Sequence, residues 1–148
     1  MLETIQKTVF AKYKAEEPRG LFFSAFATDG SLLLSNGVVS TEKPLSALID
    51  LLYHGMVEPQ LKNTKTLMVD VVTSFQQETD MQKILTLTCQ DHGVCLVGKE
   101  SGKSGVILPN MQWVADVKQA LVAIKQKYEM GGNVDIYSFT TERIVVEQ

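Results

Sequence analysis

Leu21-Phe22-Phe23-Ser24-Ala25-Phe26-Ala27-Thr28-Asp29-Gly30-Ser31-Leu32-Leu33-Leu34 is the stretch on which the fold turns. An apolar and aromatic run, an Asp-Gly pair and a second apolar run read as a β-hairpin, because Asp-Gly tolerates the backbone of a tight turn. A second hairpin signal lies downstream, where Val94-Cys95-Leu96-Val97 and Val106-Ile107-Leu108 flank a turn of Gly, Ser and Lys. Hairpins pair neighbouring strands antiparallel, whereas a doubly wound fold alternates strand and helix. The expected class is therefore α+β, with a mixed, largely antiparallel sheet and about three helices.

Upstream, Leu2, Ile5, Val9, Phe10 and Tyr13 recur at helical spacing and predict a helix over 2–15. Glu16-Glu17-Pro18-Arg19-Gly20 breaks it. Downstream, Thr41 to Pro44 opens a second helix, with Leu45, Leu48, Ile49, Leu52 and Met56 as its buried stripe. Pro59 ends it. Thr66 to Phe75 is the best strand, with Leu67, Val69, Val71 and Phe75 on one face. Residues 80–90 fit either a helix end or a strand. Gln112 to Tyr128 predicts a third helix, with Val114, Val117, Leu121 and Ile124 facing in, Lys118, Gln119, Lys125 and Gln126 facing out, and Gly131-Gly132 as C-cap. Val134 to Val146 predicts a last strand. The whole of 1–148 reads as a single domain.

Composition narrows the function classes. The formal net charge of -3 argues against a broad nucleic-acid footprint, which needs clustered Lys and Arg. No apolar run approaches the about 20 residues that span a bilayer, so no membrane association is expected. Met1-Leu2-Glu3-Thr4 lacks a basic stretch before an apolar core, which makes the cytoplasm the expected compartment. The two cysteines, Cys89 and Cys95, sit in apolar surroundings and read as reduced, buried thiols, Cys95 pointing into the core of its hairpin. With only two histidines beside them, no metal site is expected. No cofactor is implied, and a monomer or weak dimer is expected.

Several tempting motifs have simpler readings. Gly98-Lys99-Glu100-Ser101-Gly102-Lys103-Ser104 resembles a phosphate-binding loop, but it has three residues between its glycines where the motif has four. It also leads into a strand-like run rather than a helix, so a mobile hairpin turn is expected. His54 falls in the last turn of the second helix and His92 precedes Gly93 at a turn. Neither has a nearby nucleophile elbow. Glu16-Glu17 and Asp29 lie in turns, where solvated acids are ordinary. Trp113, at a helix start, reads as a core or edge aromatic.

The order of several short motifs resembles the AMMECR-one domain family. These motifs are Asp29-Gly30-Ser31-Leu32, Lys43-Pro44-Leu45 opening a helix, Asp91-His92-Gly93-Val94, Ser104-Gly105-Val106-Ile107-Leu108-Pro109, and Val134-Asp135-Ile136-Tyr137-Ser138-Phe139. The resemblance spans about Gly20 to Ile144. It implies an α+β fold with two subdomains, the smaller one trimmed here, and no established biochemical activity. It also implies association with a Memo-type protein or a radical SAM protein. The family hallmark Leu-Arg-Gly-Cys-Ile-Gly corresponds to Leu32-Leu33-Leu34-Ser35-Asn36-Gly37, where only Leu32 and Gly37 match. The family's Asp-Pro-Arg-Phe corresponds to Glu58-Pro59-Gln60-Leu61, where only Pro59 is identical.

An apolar framework retained beside a changed polar signature points to an accessory or binding module acting with a Memo-like or radical SAM partner, not to an enzyme. Its expected surface is Ser35, Asn36 and Gly37 with His54 and Glu58. The segment 35–37 is expected to leave the hairpin as a connecting loop and the Glu58-Pro59 turn to return beside it. An alternative is an enzyme whose small cleft lies at Ser35, Asn36 and Glu58, offering a hydroxyl, an amide and a carboxylate. A further alternative is a roadblock- or profilin-like scaffold that dimerises through an edge strand near Phe22-Phe23.

Overall fold

The computed structural model describes residues 1–100, 102–110, 116–128 and 133–148. The elements in order are α1 (Leu2–Phe10), β1 (Leu21–Phe26), β2 (Leu32–Val38), α2 (Leu45–Leu52), β3 (Thr66–Glu78), α3 (Met81–Thr86), β4 (Gly93–Gly98), β5 (Ser104–Ile107), α4 (Val117–Lys127) and β6 (Val134–Glu147). The strand order is β2-β1-β3-β6-β4-β5. β1 pairs antiparallel with β2 and β3, and β4 pairs antiparallel with β5 and β6. Side-chain partners run in opposite directions along β3 and β6, from Asp70 with Arg143 to Gln77 with Asp135, so that pair is antiparallel as well. The class is α+β, as the two hairpins require. A fourth helix, α3, occupies the stretch that periodicity left open, started by Asp80, whose carboxylate accepts the Gln82 N–H at 2.9 Å.

The described residues form two compact units, Met1–Val72 with Glu142–Gln148, and Thr73–Thr141. In the first, α1, α2 and the strands enclose one core. Alternation on the strands decides which side chains enter it: Leu21, Phe23 and Ala25 of β1, and Leu67, Val69 and Val71 of β3. Ile5 and Val9 of α1 and Leu45, Leu48 and Ile49 of α2 complete it. α1 is shorter than the spacing predicted, because Ala11 and Lys12 close in a turn. The β1–β2 turn is the expected one, with Gly30 at φ +85° and Asp29 accepting from the Ser31 N–H at 2.9 Å.

The stripe of α2 departs from its predicted course. Leu45, Leu48 and Ile49 are buried as expected, but Tyr53 and Val57 then replace Leu52 and Met56 as the buried positions. The cause is a π turn at Tyr53–Val57, in which the Glu58 N–H donates to the Tyr53 carbonyl five residues back. One extra residue per turn delays the inward face by one position. A 3-10 helix, Glu58–Asn63, follows, so Glu58 and Pro59 lie in helical backbone and not in an open turn.

In the second unit, α3 and α4 pack on β4, β5 and the first half of β6. The core is Ile84, Cys89, Val94, Leu96, Ile107, Val117, Ala120 and Ile124. Asp116 caps α4, its carboxylate accepting the Gln119 N–H at 2.7 Å. The expected helix start at Gln112, Trp113 and Val114, and the Gly131-Gly132 cap, lie outside the described residues. The burial of β3 also changes on entering this unit, where residues 73 to 77 are exposed. The hydroxyls of Thr73 and Ser74 both lie within hydrogen-bond distance of the Thr140 hydroxyl, at 2.7 and 2.6 Å. Phe75 is not buried with Leu67, Val69 and Val71. It is 38% exposed and stacks on Tyr137, the ring centroids 4.9 Å apart.

Candidate functional site

The residues singled out from the sequence occupy two local arrangements. Ser35, Asn36 and Gly37 are not a connecting loop: they lie within β2, opposite Ser24, Phe23 and Phe22. The Ser35 hydroxyl is 3.0 Å from that of the buried Ser24, and the Asn36 side-chain carbonyl accepts the Gly37 N–H at 2.8 Å. Gly37 is needed for close approach, since a Cβ there would lie 2.1 Å from the Leu21 carbonyl oxygen. β2 is an edge strand, and Asn36 occupies a backbone donor of the kind that strand addition uses. His54 and Glu58 are brought together, His54 Nδ1 against Glu58 Oε2, as a surface pair on the π turn with both side chains more than half exposed.

Two polar clusters were missed. The first is Asp70, fully buried in β3, held bidentately by Arg143 of β6 with Nε–Oδ1 at 3.0 Å and Nη2–Oδ2 at 3.2 Å. A carboxylate in a strand interior pays a large desolvation penalty without such a fork, and Val69-Asp70-Val71-Val72 is itself the sequence signal for one. The second is Glu78, also buried, at the far end of the same strand. Ser138 and Gln76 donate to its Oε1 at 2.7 and 2.8 Å, and Lys83 stands 3.8 Å from Oε2. The Ser138 hydrogen bond, then Gln76, Lys83 and the nearby His92, hold this carboxyl below its ordinary range against the opposing effect of burial.

Glu78 borders a cleft of about 350 Å³ in the second unit, where Gln77, Asp135 and Lys99 supply further polar groups and Met81 and Ile84 supply an apolar wall. Asp135 accepts from Gln77 at 3.2 Å and pairs with Lys99 at 3.7 Å. Met81, Val134 and Ile136 also line a second, apolar groove of about 500 Å³. Leu85 of α3 and Leu121 and Val122 of α4 wall this groove, and Lys118 and Lys125 stand on it. The lysines expected on a plain solvent face of α4 thus flank an apolar surface. Ser35, Asn36, Gly37, His54 and Glu58 line neither cleft. The groove escaped sequence reading because α3, which makes one wall, is only six residues long and carries no clear period.

The remaining motifs lie on other elements of the second unit. Gly98 to Ser104 closes the β4–β5 hairpin, with the Gly98 N–H donating to the Lys103 carbonyl at 2.8 Å and Gly102 at φ +68°. It leads into β5, and Ser101 lies outside the described residues. Cys89 and Cys95 are buried and not bonded to each other. Val94 and Leu96 face the core, so Cys95 between them points to the opposite face and not into that core. Burial pushes its thiol up to about 11. Among the described residues, no cluster of three or more His, Cys, Asp or Glu is placed to hold a metal. No helix among them is long and apolar enough to cross a membrane.

No protein-family profile matches this chain. No curated protein matches it in sequence. Among solved structures, the crystal structure of an uncharacterized protein from Pyrococcus horikoshii is similar, with a TM-score of 0.73 and 17% identity over 89% of this chain and 75% of that one. At that identity the likeness shows a shared fold.

Proposed function

We propose that this chain is an accessory binding module of the AMMECR-one-like kind, working in the cytoplasm beside a Memo-type or radical SAM protein rather than catalysing a reaction alone. The observation that carries the reading is the open apolar groove of the second unit. Met81, Leu85 and Val122 line it and are each about half exposed, at 54, 54 and 48%. Exposed apolar side chains gathered on one surface mark interaction sites, whereas scattered ones do not. The polar groups weigh the same way. Ser35 and Asn36 are engaged within the β1–β2 hairpin, and Asp70 is matched to Arg143, which leaves them in structural roles. On this reading the partner sits on the groove, which Ser35, Asn36, Gly37, His54 and Glu58 do not line.

The test is calorimetric titration of the purified chain with a purified Memo-type protein. Saturable binding is expected, lost in Val122→Asp and kept in Ser35→Ala and Asn36→Ala. Binding indifferent to Val122→Asp would overturn the placement. Substrate turnover by the chain alone, abolished by Ser35→Ala or Asn36→Ala, would restore the enzyme reading instead.

A further inference from the structure

We infer that the groove between α3 and α4 receives an amphipathic helix of a partner protein whose polar edge is acidic. The inference rests on the reading of the groove as the docking surface and names what docks there. Three observations select this occupant.

The first is concentration. Seven large hydrophobic side chains are exposed among the described residues, and three of them, Met81, Leu85 and Val122, line this groove. Met81 and Leu85 stand one helical turn apart on α3, while Ile84 between them is buried at 2% exposure. α3 thus turns one side inward and offers a second apolar side outward. α4 does the same: Val117, Ala120 and Ile124 are buried, and Leu121 and Val122 face the groove.

The second is shape. Small-molecule sites enclose about 70–90% of their ligand. Walls about half exposed at Met81, Leu85 and Val122 enclose one poorly, and they suit side chains inserted from a helix lying along the surface.

The third is charge. The chain carries a net charge of -3, yet α4, Val117–Lys127, holds Lys118, Lys125 and Lys127 and no acidic residue. Lys118 and Lys125 stand on the groove, and among the described residues none that lines it is acidic. They are seven residues apart, two helical turns or about 10 Å at a rise of about 1.5 Å per residue. A helix running beside α4 with acidic residues at the same interval would meet both. A basic helix would be repelled by both.

The experiment uses the full chain and two labelled peptides of about 18 residues, enough for five turns. Both carry the same leucine stripe; one has glutamates two turns apart on its flank and the other has lysines there. Fluorescence anisotropy should show the acidic peptide binding roughly ten-fold tighter, as two partly exposed charge pairs would give. The double variant Lys118→Glu with Lys125→Glu should reverse the preference, and Val122→Asp should abolish binding of either peptide. Circular dichroism and melting curves check that each variant is folded. Equal binding of both peptides, both lost in Val122→Asp, overturns the acidic specificity while leaving the groove as the docking surface. Binding untouched by Val122→Asp overturns the groove itself. A concentration-dependent dimer in sedimentation, dissociated by Val122→Asp, assigns the groove to a second copy of the chain and overturns the inference. Saturation by a medium-chain fatty acid that excludes the peptide assigns it to a small apolar acid, with the same result.

Discussion

Strand β3 carries two buried acids, one in each unit, and the units hold them in opposite ways. Asp70 is met by a guanidinium fork, cation against anion, with no exposed surface left on the carboxylate residue. Glu78 is met by neutral donors, Ser138 and Gln76, with its nearest ammonium 3.8 Å away and a cleft at its side. A fork matched to its acid has few directions left for anything else. An acid tied through one oxygen beside open space retains one. The first unit closes its buried acid on a cation, and the second leaves its buried acid beside a cleft.

The sharpest way to break this comparison is to remove the cation from the first pair. Arg143→Met leaves Asp70 buried without its fork and should cost about 3–5 kcal/mol in urea unfolding. Adding Asp70→Asn should recover part of the loss. A single-variant loss below about 1 kcal/mol would show that Asp70 is not held chiefly by Arg143.

Gly37→Ala comes next. The new methyl would meet the Leu21 carbonyl oxygen at 2.1 Å and the Phe22 Cα at 2.6 Å, both backbone atoms that cannot swing aside. About 2 kcal/mol of destabilisation is expected from overpacking. Amide exchange should quicken in β1 and β2 and stay unchanged in β4 and β5. Unchanged exchange throughout would mean that β2 gives way without cost, contrary to the close approach of Gly37 to β1.

How far these features could be read from the sequence follows from how local they are. The Asp29-Gly30 hairpin and the Thr66–Val72 core face were legible because turn chemistry and alternation act over a few residues. The π turn was not, since Tyr53 and Val57 replace Leu52 and Met56 only when one backbone bond skips a residue. Phe75 was misplaced for a related reason. Its ring stacks on Tyr137 of β6, a partner far along the chain. Of the expected site, His54 and Glu58 meet because they are four residues apart. Ser35 and Asn36 instead find their partners inside the sheet, and the groove depends on α3, α4 and β6 coming together, which no single stretch records.

Glu78 gives a smaller, pH-resolved test. Its folded-state pKa lies below the ordinary 4.5, so its contribution is fully present above that value and is lost as pH falls through the folded one. Glu78→Gln should cost about 1 kcal/mol at neutral pH through weaker hydrogen bonding. The difference from wild type should stay level down to about pH 5 and shrink below the ordinary value. A difference that grows on acidification would mean that burial, and not the Ser138 and Gln76 donors, dominates this carboxyl.

The smallest effect is expected at Glu58, and it decides between the two surfaces. His54 and Glu58 are 58 and 55% exposed in their side chains, so water competes for both partners. Exposed pairs contribute about 0–1 kcal/mol. The π turn beneath them is held by other means, by the Glu58 N–H bonded to the Tyr53 carbonyl and by Tyr53 and Val57 in the core. Glu58→Gln keeps that backbone bond and changes only the charge, so the melting transition should move by less than about 0.5 kcal/mol. Partner binding should also be unchanged, because Glu58 and His54 lie on the first unit and the groove is lined by α3, α4 and β6 of the second. Partner capture weakened by Glu58→Gln, with an unmoved melting curve, would transfer the functional surface to His54 and Glu58 and leave the groove without that role.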